Sequence, residues 1–426
     1  MRILLLNQCF YPDVASTAQH ASDLAQALAA AGHYVTVVAG RRAYDDPARK
    51  FKRQEVWNGV RILRVFSFGF GKGANWRRLL DYSSFLVACC LRLVFLPRFD
   101  VVLAMSSPPA ISFFAAMFAR FRGERMVSWI MDLNPDEAIA AGWLRPGSSA
   151  AGVLDWMLKH ALSLSYRVVV LDEFMKTRVV NKGVPASKVA VLPPWSHDRA
   201  VWYDGAGRAG FRRELGMGEK FVVMYSGNHS PCHPLDTLVE AARRLSNHPE
   251  IVFCFVGGGA GFAKVRDAAV REKLTNVVCV PYQPIEKISA SLSSADLHVV
   301  VMGEAFAGIV HPCKIYNILA LGIPVLYIGP AESHIVELLS AGGWGQWAFR
   351  ARHGDVDAVV RSILHCAAVR SGPFDAPRLL AARFSHDTLV PRMIGCLVAD
   401  ETPGGRSQQH PALAQLPPCG PTNARF

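Results

Sequence analysis

The stretch GIVHPCKIYNILALGIPVLYIGP, residues 308–330, decides how this chain is read. It opens as a glycine-started loop, carries one lysine at Lys314, runs into a short apolar helix, turns at Gly322 and ends as an apolar strand over 324–328. An apolar strand without polar alternation belongs inside a parallel sheet covered on both faces. A loop over Gly308, Ile309 and Val310 leaves backbone amides free beyond the carboxyl end of the preceding strand, DLHVVVM. Lys314 at the start of a helix adds an ammonium to the positive end of the helix dipole. That pairing suits a diphosphate.

The same alternation extends outward in both directions. Upstream, FVVMYSGN, PLDTLVEAARRL, IVFCFVGGG, KVRDAAVREK, NVVCVPYQP, IEKISASLSSA and DLHVVVMGE read as strand and helix in turn. The first half repeats the pattern. MRILLLNQ is a strand, a loop is broken by Pro12, HASDLAQALAAAG is a helix stopped at Gly32, and HYVTVVAG is the next strand. After a basic stretch over 41–78 come a helix over 83–96, the strand DVVLAMSSPP, a helix over 110–121, the strand ERMVSWIMDLNPDE, a helix over 150–165, and the strands RVVVLD and KVAVLPP. The fold class is α/β, with two doubly wound units, 1–198 and 199–385, divided after PPWSHD. A C-terminal helix over 386–400 is expected to pack back on the first unit, and the Pro-, Gly-, Ser- and Gln-rich tail 401–426 to be disordered. Ligands of such sheets gather beyond the carboxyl ends of the strands, which places the chemistry in the cleft between the units.

Composition narrows the class. Of 426 residues 51% are hydrophobic and 19% charged, the balance of a globular protein. Ten cysteines form no CxxC pair and read as reduced thiols of a cytosolic protein. MRILLLNQCF reads as a strand rather than a secretory leader. The net charge is +12, with a marked surplus in 41–78, a pattern that favours an anionic partner or else is a solvated loop. SFLVACCLRLVFLP contains Arg92 and falls short of the about 20 residues that cross a bilayer, leaving a core or an interfacial helix. No HExxH, carboxylate cage or Ser–His pair is present, so no metal, no cofactor and no hydrolytic triad are expected.

Several loops carry the chemistry. MYSGNHSPCHPLDTLVEAA (224–242) sets a Gly-Asn turn between strand and helix, FVGGGAG (255–261) adds a second glycine loop, and both lie beside the lysine loop. MDLNPDE offers Asp132, which follows an apolar strand, together with Asp136 and Glu137, for which an Asn-Pro-Asp turn and helix capping are sufficient reasons. Together with NQCFYPDVASTAQHASDLAQALAAAGHYVTVV, VPYQPIEKISASLSSADLHVV and PCKIYNILALGIPVLYIGP, these stretches resemble the retaining glycosyltransferases of family 4, in the bacterial colanic-acid, O-antigen and exopolysaccharide branch. The resemblance implies a GT-B fold of two facing Rossmann-like domains.

The resemblance further implies a sugar donor, UDP- or GDP-linked, held by the second domain. Lys314 would face its diphosphate with the amides of Gly308, Ile309 and Val310. Gly227, Asn228 and His233 would approach the same phosphates, and Tyr282 and Gln283 would border the base. His311 would be a further phosphate neighbour. Acceptor and transferred sugar would lie near Asp13, Ser16, Thr17 and the Asp132–Glu137 loop. Two glutamates usual in the family are replaced, by Ile309 and Asn317. Asn317 keeps a weaker route to the ribose, and Glu304 stands in as the carboxylate near the donor sugar.

The implied reaction is sugar transfer to a lipid-linked or polysaccharide acceptor at the cytoplasmic face of a bacterial membrane. The anionic membrane surface is its partner and nucleic acid is not. A non-catalytic sugar-nucleotide-binding or assembly protein is the alternative, and a nucleotide-sugar 2-epimerase a third reading.

Overall fold

The computed structural model describes residues 1–399 apart from 14, 44–45, 47, 72–74, 198–199, 343 and 371. The tail 401–426 and the residues at the proposed division, Asp198 and Arg199, lie outside the described residues.

Two sheets organise the chain. The first takes β1 (Arg2–Leu6), β2 (Tyr34–Gly40), β3 (Gln54–Trp57), β4 (Val60–Val65), β5 (Val101–Ala104), β6 (Arg125–Trp129), β7 (Arg167–Val170) and β8 (Val189–Val191) in the order β3-β4-β2-β1-β5-β6-β7-β8. The second takes β9 (Phe221–Asn228), β10 (Ile251–Gly258), β11 (Val277–Val280), β12 (Leu297–Val301), β13 (Val325–Ile328) and β14 (Ala348–Ala351) in the order β11-β10-β9-β12-β13-β14. Every pairing is parallel except β3 with β4. Strands such as Val101–Ala104, Leu297–Val301 and Val325–Ile328 are buried throughout, because helices cover both faces of each sheet. In each sheet the winding reverses at one place, between β1 and β5 and between β9 and β12. A crevice opens there beyond the strand ends.

The sequence reading missed the β3–β4 hairpin inside the basic stretch. Its turn is Asn58-Gly59, both with positive φ, a pair that favours a two-residue hairpin turn. The helix read over 83–96 is also longer, Asn75–Val94. The strand read through MDLNPDE ends at Trp129, so Asp132 sits on the loop beyond it.

One apolar cluster runs across the division between the units. It joins Leu24, Trp129 and Leu133 to Phe306, Ile309, Val310, Tyr316 and Leu319, and includes Leu389, Val390, Met393 and Leu397 of the last helix, His386–Val398. Hydrogen bonds reinforce it: Leu133 N donates to Ile309 O (2.9 Å), Arg178 Nε to Ala307 O (2.9 Å) and Ser196 N to Phe384 O (2.8 Å). The two crevices are thereby held face to face.

Candidate active site

Lys314 is the first residue of the helix Lys314–Leu321. Its ammonium nitrogen is buried and makes no hydrogen bond. It lies 3.8 Å from the centre of the Tyr225 ring, a cation–π contact, and reaches the end of β9, where a Cβ placed on Gly227 would stand 2.9 Å from Nζ. Removal from water holds its pKa down, at about 7.

The groups around the ammonium keep themselves neutral. His229 Nδ1 donates to Gly227 O (3.0 Å), His233 Nδ1 to Val301 O (2.7 Å) and His298 Nε2 to Leu292 O (2.9 Å). Burial first, and Lys314 as a further cause, lowers His229 and His298 to about 4 and His233 to about 3. Each is therefore a neutral imidazole with one nitrogen fixed as donor to a carbonyl. His229 Nε2 is buried without a partner. A buried cation ringed by neutral imidazoles is an electrostatic vacancy for an anion.

The floor of this pocket is backbone. Gly257 has φ +134°, and a Cβ there would lie 2.0 Å from the Gly227 carbonyl oxygen, so the ends of β9 and β10 touch because Gly257 has no side chain, while Gly227 leaves room for Lys314. Tyr225 Oη donates to Asn228 O (2.8 Å) and fixes the Gly-Asn turn. Tyr282 is exposed, with its ring edge 2.8 Å from where a Cβ on Gly258 would sit, and Gln283 follows on the same loop. The structure thus brings Gly227 and His233 to Lys314, with Asn228 next to Gly227 and Tyr282 against Gly258 at the end of the neighbouring strand.

Other expectations need correction. The amides of Ile309 and Val310 are not free, because both donate to Phe306 O (2.9 and 3.2 Å), and both side chains are buried in the core between the units. Gly308 presses on Phe174 of the first unit, 2.7 Å from its carbonyl carbon to a Cβ built on the glycine. This loop is thus an inter-unit contact, not an anion cradle. Asn317 Oδ1 accepts from His197 N (2.9 Å) and holds the segment between the units. His311 faces Asp172 and Tyr316 rather than the lysine pocket. Glu304 is exposed in the turn after β12.

Across the cleft, Ser106 Oγ accepts from Met131 N (3.2 Å) and Asp132 N (3.1 Å), which positions the loop after β6. Asp132 and Glu137 form a carboxyl pair: burial first, then the charge of Glu137, raises Asp132 well above the usual range, and burial raises Glu137. Glu137 lies in the short helix Asp136–Ala140, accepts from Asn134 Nδ2 (3.0 Å) and approaches the Cys232 thiol of the second unit (3.9 Å). It faces the cleft instead of capping that helix. Ser16 opens the helix Ser16–Ala30, with its hydroxyl 3.4 Å from His20 Nδ1 and near the Cys313 thiol, next to Lys314. Asp13 is buried on the preceding loop, and Thr17 follows Ser16. Sequence reasoning missed His229 and gave Glu137 a sufficient reason as a helix cap; both stand in the quoted loops, and only the packing shows that they face the site.

The lysine's environment has a thermodynamic signature. The unfolded chain holds the Lys314 proton up to its ordinary value of 10.5, and the folded chain only up to about 7. Unfolding therefore takes up a proton between those values, and this residue's contribution makes stability rise with pH across the window. Urea melts of wild type and Lys314→Met at pH 6 to 10 should show Met the more stable at pH 6 and the gap closing toward pH 10. A constant gap would mean that Lys314 titrates normally.

Comparison with known proteins fits this geometry. Residues 17–195 match the family described as glycosyl transferase 4-like domain, and residues 208–365 match glycosyl transferases group 1. A protein of Escherichia coli strain K12 named for colanic acid biosynthesis glycosyl transfer, WcaI, is 27% identical over 351 residues, spanning 79% of this chain and 86% of its own. Sucrose-phosphate synthase from Thermosynechococcus elongatus superposes with a TM-score of 0.71 at 16% identity, over 92% of this chain and 97% of its own. HepE of Anabaena, in complex with UDP-glucose, superposes with a TM-score of 0.65 at 16% identity, over 93% and 99%. Two glycosyltransferase families in succession, on two parallel sheets that face each other across a cleft, show that the chain belongs to the GT-B glycosyltransferases.

Proposed function

We propose that this protein transfers a sugar, with retention of configuration, from a UDP- or GDP-linked donor to a lipid-linked or polysaccharide acceptor in bacterial cell-surface polysaccharide synthesis. The observation that carries the reading is the buried, unpaired ammonium of Lys314 at the reversal point of the second sheet. A nucleoside diphosphate supplies the missing charge. The naming of WcaI for colanic acid biosynthesis and the UDP-glucose held by HepE support the pathway and the donor class.

In a front-face displacement the bond from the anomeric carbon to the β-phosphate oxygen breaks, and a bond to the acceptor hydroxyl oxygen forms on the same face. The leaving phosphate oxygen takes the hydroxyl proton. Charge develops on the diphosphate, and Lys314 with the helix start stabilises it there. His233, its Nδ1 committed to Val301 O, presents Nε2 as an acceptor for a donor-sugar hydroxyl. Asp132 and Glu137 on the opposite wall position the acceptor, and Ser16 and Thr17 border it. Tyr282 borders the base.

The engagement of Asn317 by the main chain and the burial of Ile309 favour one second reading, a protein that binds the sugar nucleotide without turning it over. Thermal melts against a panel of nucleoside diphosphates, with donor turnover followed by NMR, separate the two. The expected result is that one nucleotide raises the midpoint, adding about 2.7 kcal/mol of stability at a hundredfold excess over Kd. Lys314→Ala should cut that affinity at least tenfold, and the UDP- or GDP-sugar should be consumed. Binding without turnover selects the second reading. No binding at millimolar concentration overturns both.

The membrane side of the reading rests on the first unit. Phe66, Phe68, Phe70 and Trp76 are exposed and form a ladder with ring centres 5.3, 5.2 and 6.4 Å apart, so the basic stretch does carry aromatics. The ladder continues into exposed Leu79, Val87, Leu91 and Val94 on the helix Asn75–Val94. Among the described residues no helix is long and apolar enough to cross a membrane. Aliphatic side chains suit acyl chains and the arginines suit anionic headgroups, so a bilayer surface is the occupant. Vesicles with phosphatidylglycerol should sediment the wild type, and a Phe68→Ser/Trp76→Ser variant should bind at least tenfold more weakly. Binding to single-stranded DNA in place of vesicles would contradict this assignment.

A further inference from the structure

Away from the lysine pocket, three buried side chains converge where the units meet. Asp172 follows β7 in the first unit, and His311 and His334 come from the second, His334 as the first residue of the helix His334–Gly342. His311 Nδ1 lies 2.8 Å and His334 Nδ1 3.2 Å from the same carboxylate oxygen, Asp172 Oδ2. The two rings stack, with centres 3.7 Å apart. Of the two imidazoles, His311 alone makes a hydrogen bond to the carboxylate. His334 is 6% exposed, and neither of its nitrogens has a hydrogen-bond partner, although Nδ1 is aimed at Asp172.

One proton between His311 and Asp172 satisfies two of the three groups and strands the third. A divalent cation satisfies all three. Ligand bonds of about 2.0–2.1 Å to zinc in a tetrahedral shell set neighbouring donors roughly 3.3 Å apart, close to the spacing already present. The two rings lie 13° from parallel, so one ion can meet both Nδ1 lone pairs only if the His334 ring turns out of the stack, and that ring has no hydrogen bond to lose. His311 Nε2 is 2.7 Å from Tyr316 Oη, which accepts the proton once Nδ1 is a ligand, and Asp172 Oδ1 accepts from Met175 N (2.7 Å). Two imidazoles and one carboxylate select zinc or a similar transition ion over magnesium or calcium.

We propose that Asp172, His311 and His334 form a structural site for a divalent transition metal that clamps the two units together, with water at the remaining position. It would fix the loop that leads from His311 to Lys314. No spacing motif announces it, because one ligand comes from each of three distant segments.

The test uses full-length protein freed of metal by a chelator and titrated with Zn2+, then with Co2+. Asp172→Asn keeps a capping side chain for the helix Glu173–Asn181, and His334→Phe keeps the ring stack. The wild type should bind one equivalent and melt several degrees higher with metal. Both variants should bind at least tenfold more weakly while melting like the metal-free wild type. The Co2+ complex should lack the near-ultraviolet thiolate band. Absence of saturable binding, equal binding by the variants, or a cobalt–thiolate spectrum would overturn the proposal, and the spectrum of the wild type decides even where a variant fails to fold.

Discussion

A buried ammonium without a counter-charge is the constraint on which the rest of this structure turns. Folding removes Lys314 from water and offers it only the face of Tyr225 in return. Such an arrangement costs stability and persists where a ligand repays it. Neutral imidazoles at His229, His233 and His298 surround it without cancelling it. With its pKa held down at about 7, the lysine is divided between neutral and charged forms near neutral pH, and an arriving anion draws it to the charged one.

The two sheets explain why that charge sits where chemistry is possible. The winding of the second sheet reverses between β9 and β12, and the glycines at the ends of β9 and β10 let the main chain approach a ligand closely. The first sheet reverses between β1 and β5, and the loop after its β6 presents Asp132 and Glu137. The apolar cluster from Leu133 to Ile309 holds these two walls together. Loop 308–310 serves that junction, which accounts for the burial of Ile309.

Much of this was legible in the sequence, because periodicity is a local signal. The strands FVVMYSGN and IVFCFVGGG, the glycine turns and the lysine at a helix start were all readable, and with them the two doubly wound units; the GT-B class followed from the family resemblance of those stretches. The β3–β4 hairpin was less legible, although Asn58-Gly59 marked it, because its strands are short and lie in a stretch dominated by charge. What no local pattern could show is partnership across the chain. The amides of Ile309 and Val310 close on Phe306, Asn317 holds the main chain at His197, and Glu137 meets Cys232. Those contacts decide which residues remain free to act.

The central claim is that Lys314 waits partly deprotonated and takes up a proton as the diphosphate binds. Calorimetric titration of the protein with its nucleoside diphosphate at pH 8, in buffers of different ionisation enthalpy, counts that proton. The account predicts uptake of close to one proton per nucleotide, lost in Lys314→Met. Binding heats independent of the buffer would show a lysine already charged in the free protein and would contradict it.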